Sequence, residues 1–280
     1  MNIEINNRKK RIILYILPIF VLLILTLSIR YYRISKEKES ETDIYENSKK
    51  VEESVEEDDE ERYIIDSGQD FTELFPIIDE QQAYIVVPGR IDTRKPPTVV
   101  IYSHGSNTSV TQNMQDQFMK DMREYGILFS KHNYIFAASN QHGVNWGNSA
   151  SVEDTLKLKE YIDEIYHPSE KIYLLGFSMG GLPTMNFTTT FPELVSKIAL
   201  LAPTTKSAEW NRERVEKIMD IDIKIWHGNK DVNVPYSYTL SFVNKLEGLG
   251  KEIDFVTVEG KGHFDIDTEY MDEVLEFFNS

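Results

Sequence analysis

Hydrophobic and polar positions divide the chain into three stretches with different patterns. Residues 12–29 form one long apolar run, residues 30–62 are almost entirely polar, and from residue 63 onward short apolar runs alternate with stretches of helical spacing. The short runs predict strands at residues 83–87, 98–103, 134–139, 171–177, 197–202, 222–228 and 253–258. The helical spacing predicts helices at residues 113–132, 152–166, 180–191, 236–249 and 268–278. Apolar strands that alternate with helices predict one α/β domain over residues 63–280, with a mostly parallel, doubly wound sheet.

The long apolar run has the properties of a membrane anchor. Its 18 residues would span about 27 Å as a helix, which is close to the hydrocarbon thickness of a bilayer. Four basic residues at positions 8–11 precede it, and such a cluster favours a cytoplasmic side for residues 1–11. No small-residue cleavage site follows the run, which favours a retained transmembrane signal anchor over a cleaved signal peptide. Flanking charges at both ends disfavour a buried core helix. The expected location is the cell membrane, with the folded domain outside the cytoplasm.

The polar stretch at residues 30–62 predicts an acidic stalk. Residues 51–61 contain eight acidic side chains and no basic one. A segment with so little apolar surface cannot offset the entropy lost on ordering, so disorder is expected, with a solvated helix as the alternative.

Composition excludes several classes of function. The formal net charge is −16, and an acidic surface repels polyanions, so nucleic acid is not an expected partner. The chain has no cysteine, which rules out disulfides, thiolate catalysis and cysteine metal sites. No metal-ligand cluster stands out, and the sequence implies no metal or cofactor.

Residues just after each predicted strand are the most informative, because ligand sites in such sheets lie beyond the carboxyl ends of the strands. Ser178 follows a strand in the segment LLGFSMGG and precedes a helix. Glycines two residues before and two after it relieve the crowding of a tight strand-to-helix turn and leave the serine oxygen exposed. The backbone N–H of Met179 would then point to where an oxyanion forms.

A serine nucleophile requires a base and an orienting acid. His263 lies in the segment EGKGHFD, after the last strand and before the last helix, and it is the candidate base. Asp231 is the only acid in the loop NKDVNVP and is the candidate acid. Asp265 and Asp267 are closer to His263 in sequence, but they are expected to point outward or to cap the final helix.

The remaining histidines have other interpretations. His132 and His167 end helices and are typical of charges that complement a helix C-terminus. His104 and His227 each precede a glycine at a strand end and are expected to form turns. His142, in the loop after a strand, is a candidate substrate contact.

These segments together resemble the α/β-hydrolase superfamily, in which serine, acid and histidine follow in this order. The resemblance covers residues 82–280, and the spacing HG-x-x-D-x-x-VP is most similar to the prolyl-oligopeptidase and dienelactone-hydrolase branches, although no propeller domain precedes it. The segment SHGSN at residues 103–107 resembles the oxyanion-hole turn of the family, and it implies backbone donors at Ser106 and Met179. Residues 139–150 resemble the loop pattern D-x-R-G-x-G-x-S and depart from it at Asn140 and His142.

The expected function is that of a membrane-anchored serine esterase. Only one short helix, within residues 203–221, is available as a lid, so we expect an open site that accepts a small-molecule or envelope ester. Trp146 and Phe177 are further candidate substrate contacts, and Trp146 and Trp210 either line the mouth or pack in the core. A peptidase or amidase with the same triad, and a non-catalytic surface-binding protein, remain the alternatives.

Overall fold

A computed structural model describes residues 64–280 of the chain. The predicted tail, anchor and stalk, at residues 1–11, 12–29 and 30–62, lie outside the described residues. Within the described part, no helix combines the length and the apolar character that a membrane span requires.

Most strands of the sheet are parallel, which confirms the predicted fold class. The strands of the described residues are β1 (Ile64–Leu74), β2 (Ile77–Ile78), β3 (Gln81–Asp92), β4 (Thr98–Ser103), β5 (Tyr134–Ser139), β6 (Ile172–Phe177), β7 (Val195–Leu201), β8 (Asp222–Gly228) and β9 (Asp254–Val258). Their order is β1-β3-β5-β4-β6-β7-β8-β9, and the short β2 pairs with β3. Strands β5, β4, β6, β7, β8 and β9 run parallel to one another. Strands β1 and β3 add an antiparallel edge.

The antiparallel edge differs from the prediction, which ended the first strand at Pro88. Strand β3 instead continues to Asp92, and Pro88 lies opposite Phe71 beside an irregularity in the β1–β3 register. Proline cannot donate a ladder hydrogen bond and is tolerated at such irregular positions. Pairing with β1, which is distant along the chain, therefore overrides the local breaking signal.

Helices cover both faces of the sheet. They are α1 (Gln117–Ser130), α2 (Ser149–Tyr166), α3 (Gly181–Thr190), α4 (Arg212–Glu216), α5 (Tyr236–Glu247) and α6 (Met271–Asn279). Helices α1 and α6 contribute to one apolar cluster, and α2 to α5 contribute to the cluster on the opposite face. Adjacent residues of β4 belong to different clusters, Ile101 to one and Tyr102 to the other, because successive side chains of a strand point to opposite faces.

The start of α2 also differs from the prediction. The helix begins at Ser149, and the side chain of Asn148 accepts a hydrogen bond of 2.9 Å from the backbone N–H of Ser151. The helix therefore begins three residues before the predicted start at residue 152. Asn148 is a favourable N-cap residue, and Asp154 makes a different contact, described below.

Candidate active site

Ser178 lies at the sharp turn that joins β6 to α3. Its φ is +54°, in the left-handed region, which costs free energy for a residue other than glycine and is found at functional sites. A side chain on Gly180 would place its Cβ 1.9 Å from the carbonyl oxygen of Ser103. Only glycine allows the turn to pack this closely on β4, and this packing directs Ser178 to the carboxyl edge of the sheet.

The structure brings Ser178, His263 and Asp231 together from three separate loops. The Ser178 Oγ lies 2.9 Å from the Nε2 of His263, and the His263 Nδ1 lies 2.6 Å from the Oδ2 of Asp231. All three residues are buried, with 8%, 5% and 7% of their surface exposed. A neutral His263 with its proton on Nδ1 donates to the carboxylate and accepts the serine hydroxyl proton, which is the arrangement that activates a serine.

Asp231 is held by its own loop as well as by His263. Its Oδ1 accepts hydrogen bonds of 2.8 Å from the backbone N–H groups of Asn233 and Val234. Hydrogen bonds to a carboxylate are stronger than those between neutral groups, so this oxygen is firmly positioned and the other oxygen is left for histidine.

His227 is a member of the site that sequence reasoning missed. It was expected to form a turn, but it is fully buried, and its Nε2 lies 3.1 Å from the Oδ2 of Asp231. The signal that could have found it is its position at the carboxyl end of β8, four residues before the candidate acid. A tight turn of four residues brings the carboxylate of Asp231 back to the end of β8, next to His227.

The two acids next to His263 have different environments. Asp265 accepts a hydrogen bond of 2.8 Å from the backbone N–H of Gly262 and stabilises its own loop. Asp267 was expected to point outward or to cap a helix, and this expectation is wrong. Its carboxylate accepts hydrogen bonds from the hydroxyls of Tyr102 and Tyr125. Its removal from water raises its pKa to about 6, although the two tyrosine hydrogen bonds act in the opposite direction.

The predicted oxyanion residues lie beside the serine. A Cβ on Gly105 would lie 3.5 Å from the Cβ of Ser178, and Ser106 follows it in the cavity wall. Met179 is the next residue after Ser178 in a short 3₁₀ turn, with its side chain fully buried. Ser106 therefore borders the space in front of the serine oxygen, and Met179 adjoins that space through its neighbour Ser178.

An open cavity of about 280 Å³ lies in front of Ser178. Among the described residues that line it, none is Asp, Glu, Lys or Arg. Its polar and aromatic lining includes Ser106, Asn107, Trp146, Phe177, Tyr238 and Phe264. The cavity is therefore suited to an uncharged group, since a charge removed from water without a partner is costly.

Two of the predicted substrate contacts border this cavity. The ring of Phe177 lies 5.0 Å from that of His263, and the side chain is nearly buried. Trp146 is 51% exposed at the mouth, with a φ of +48°. Its conformation is maintained by Asn145, whose amide binds the carbonyl of Gly143 and the N–H of Gly147.

His142 and Trp210 lie elsewhere. The Nδ1 of His142 lies 2.6 Å from the Oδ2 of Asp154 on α2, and His142 is not among the residues that line the cavity. The structure therefore does not bring this expected contact to the site. Trp210 is buried and packs against Phe242 and under the guanidinium of Arg214, so it belongs to the core.

No group of ligating side chains within residues 64–280 is arranged to hold a metal ion. The reactive groups of the site are the hydroxyl, the imidazoles and the carboxylate described above.

Comparisons with known proteins identify the family and the fold. A family model described as phospholipase/carboxylesterase matches residues 81–280. No curated protein sequence matches the chain significantly. Among solved structures, a thermostable esterase has a TM-score of 0.56 at 19% identity, covering 74% of this chain and 62% of its own. The S-formylglutathione hydrolase of Staphylococcus aureus has a TM-score of 0.54 at 18% identity, covering 74% and 94%. Dipeptidyl peptidase 4 of Porphyromonas gingivalis has a TM-score of 0.58 at 14% identity, covering 76% and 36%.

This chain thus spans less than two thirds of the esterase and of the peptidase, and nearly all of the S-formylglutathione hydrolase. At these identities the structural likeness shows a common fold. The family model, in contrast, spans most of the chain. The chain therefore belongs to the phospholipase/carboxylesterase family of serine hydrolases with the α/β-hydrolase fold.

Proposed function

We propose that the protein is a carboxylesterase in which Ser178 is the nucleophile, His263 the general base and Asp231 the orienting acid. The observation that carries the proposal is the continuous hydrogen-bonded chain from the Ser178 Oγ through both nitrogens of His263 to Asp231. In this series of hydrogen bonds each donor faces one acceptor, so a single neutral tautomer of His263 satisfies every bond.

The reaction follows from these contacts. Ser178 attacks the ester carbonyl while His263 takes its proton, and Asp231 stabilises the imidazolium that forms. The backbone N–H groups of Met179 and Ser106 bind the oxyanion of the tetrahedral intermediate. His263 then delivers its proton to the leaving alcohol, which leaves an acyl group on Ser178. Water, activated by the same histidine, hydrolyses the acyl-enzyme and restores the serine.

The cavity favours an ester over the substrate of an aminopeptidase. A peptide with a free N-terminus carries an ammonium close to the scissile bond, and a site that selects this group requires an acidic partner for the part of it that leaves water. No Asp or Glu is present among the lining residues that the structure describes. A volume of about 280 Å³ is also at the small end for ligand sites, which commonly measure about 300–1,000 Å³. The best substrate is therefore an uncharged ester with a short acyl group, such as a small-molecule or envelope ester.

The test is a substrate panel on the purified protein. We expect hydrolysis of short p-nitrophenyl acyl esters, much slower hydrolysis of aminoacyl p-nitroanilides, and labelling of Ser178 by a fluorophosphonate. Ser178→Ala is expected to lower kcat by about 10⁴-fold or more and to abolish labelling without a change in the circular dichroism spectrum. Preferred cleavage of the anilides would assign a peptidase, and absent labelling would assign a non-catalytic protein.

We also propose that the enzyme is anchored in the cell membrane with its hydrolase domain outside. The support is the run of apolar residues 12–29 after the basic residues 8–11, a pattern that retains the N-terminus in the cytoplasm. Protease treatment of intact cells is expected to release a fragment cut in the acidic stalk at residues 30–62. A mature N-terminus near residue 29, found by mass spectrometry, would contradict the anchor, and a domain protected from protease would contradict the orientation.

A further inference from the structure

We propose that His227 is a positioning residue of the active site, which donates a hydrogen bond to Asp231 and thereby holds the carboxylate that orients His263. This role rests on the proposed hydrolase function, since it concerns how that site is held. His227 touches neither the serine nor the cavity, so its effect passes through Asp231.

The hydrogen-bond partners of His227 define its tautomer. Its Nε2 lies 3.1 Å from the Oδ2 of Asp231 and 3.0 Å from the carbonyl oxygen of Val234. Both of these are acceptors, so Nε2 carries a proton. Its Nδ1 lies 2.9 Å from the hydroxyl of Thr239. The single proton of that hydroxyl also has the carbonyl oxygen of Pro203 within 3.3 Å, and the shorter contact favours donation to His227. A neutral imidazole protonated on Nε2 therefore satisfies both of its nitrogens.

The neutral form matters for the chemistry. Burial lowers the pKa of His227, while the Val234 carbonyl and the charge of Asp231 oppose this effect. A neutral donor positions the carboxylate without cancelling its charge. The full charge of Asp231 is then available when His263 becomes an imidazolium during the reaction.

His227 completes a set of four donors around one carboxylate. The two backbone donors on Oδ1, from Asn233 and Val234, belong to the loop of Asp231 itself. The two donors on Oδ2 are imidazoles from other parts of the fold, His227 from β8 and His263 from the loop after β9. His227 therefore links the carboxylate of Asp231 to the end of β8, and it donates to the same oxygen that accepts from His263.

Few ionisable groups surround this set. Apart from Asp231 and His263, the described ionisable side chain that faces His227 is Tyr236, at the start of α5, with its ring 5.9 Å away. The ammonium of Lys261, from the segment that packs beside this loop, is directed to Glu269 instead. A change in the pH dependence of the site on substitution of His227 is thus attributable to the shared oxygen of Asp231.

The test compares His227→Phe with His227→Gln. Phenylalanine retains a ring but removes the donor, whereas glutamine returns an amide N–H at about the same reach. For the phenylalanine variant we expect kcat/KM to fall by about 10- to 100-fold. We also expect the acid limb of its pH–rate profile to move to higher pH, because an oxygen with one donor fewer retains the proton on His263 more strongly. Glutamine is expected to restore most of both quantities.

A matched control separates positioning from general stability. Lys197→Met removes a buried ammonium that binds the backbone carbonyls of Phe277 and Ser280 at the end of α6. It is expected to lower Tm without moving the acid limb. An acid limb for His227→Phe that stays at its wild-type position, or a glutamine variant no better than phenylalanine, would refute the positioning role.

A measurement without substrate distinguishes this inference from the proposed function. Proton NMR can follow the Nδ1–H of His263 in its 2.6 Å hydrogen bond to Asp231 as pH is varied. We expect this titration to change in His227→Phe even if none of the tested esters is hydrolysed. A wild-type protein without esterase activity would refute the proposed function, whereas an unchanged NMR titration in His227→Phe would refute the role of His227.

Discussion

The carboxyl group of Asp267 is expected to stabilise the folded protein at low pH and to lose this contribution as pH rises. The substitution Asp267→Asn tests this pH dependence. Asp267 lies four residues after His263 in the same loop, and it accepts hydrogen bonds of 3.0 Å and 3.2 Å from the hydroxyls of Tyr102 and Tyr125. Burial raises the pKa of both tyrosines, so they remain donors. Asparagine has the same shape as aspartate and does not titrate.

The magnitude follows from the pKa of Asp267. Removal from water raises it from 3.8 to about 6, so the folded state binds this proton more tightly than the unfolded state does. The contribution is therefore fully present below pH 3.8, and it is lost as pH rises through about 6. A difference of this size corresponds to about 3 kcal/mol. Because asparagine has no proton to lose, we expect the unfolding free energy of the variant to rise relative to wild type by up to about 3 kcal/mol between pH 4 and pH 7.

The assay is urea unfolding of both proteins across that pH range. The difference between the two free energies of unfolding is the quantity of interest, because the other titrating groups are common to both proteins. Tyr125→Phe is a matched variant: the tyrosine hydrogen bonds lower the pKa of Asp267, so removal of one hydroxyl is expected to enlarge the effect. A difference that does not vary with pH, or one that favours wild type at higher pH, would contradict the raised pKa of Asp267.

Three other outcomes are expected from single substitutions. Asp231→Asn is expected to lower kcat by about 10⁴-fold in the ester assay, whereas Asp265→Asn is expected to lower it by only a few-fold. The opposite order would assign the acid role to Asp265. Gly228→Ala places a Cβ 2.2 Å from the carbonyl oxygen of Lys261, so it is expected to separate the loop after β8 from the loop after β9 and to lower both Tm and kcat. A wild-type Tm measured by calorimetry would contradict this close contact. Trp146→Ala is expected to raise KM for bulky p-nitrophenyl esters and to leave KM for the acetyl ester nearly unchanged, because the side chain lies exposed at the mouth of the cavity. An equal change in KM for both substrates would exclude a contact of Trp146 with bulky substrates.

The central sheet and the order of the site residues along the chain can be predicted from the pattern of amino acids alone. Parallel strands all end at one edge, so any residue directly after such a strand lies at that edge whatever the details of packing. Ser178, Asp231 and His263 could therefore be named from their positions after three predicted strands. Local sequence patterns predicted the strands less reliably where pairing with a distant segment determines whether a strand forms. β1, with its exposed polar residues, became a strand only through its pairing with β3.

Contacts between side chains from separate segments, in contrast, follow from the three-dimensional packing. In sequence, Trp146 and Trp210 were equivalent, yet one is exposed at the cavity and the other is buried in the core. The carboxylate of Asp267 accepts hydrogen bonds from two tyrosines that precede it by more than 140 residues along the chain. His227 donates to Asp231 because the loop after β8 turns back on the end of its own strand. Such contacts depend on distances of a few ångströms between separate segments, and hydrophobic periodicity carries information only about the face on which a residue lies.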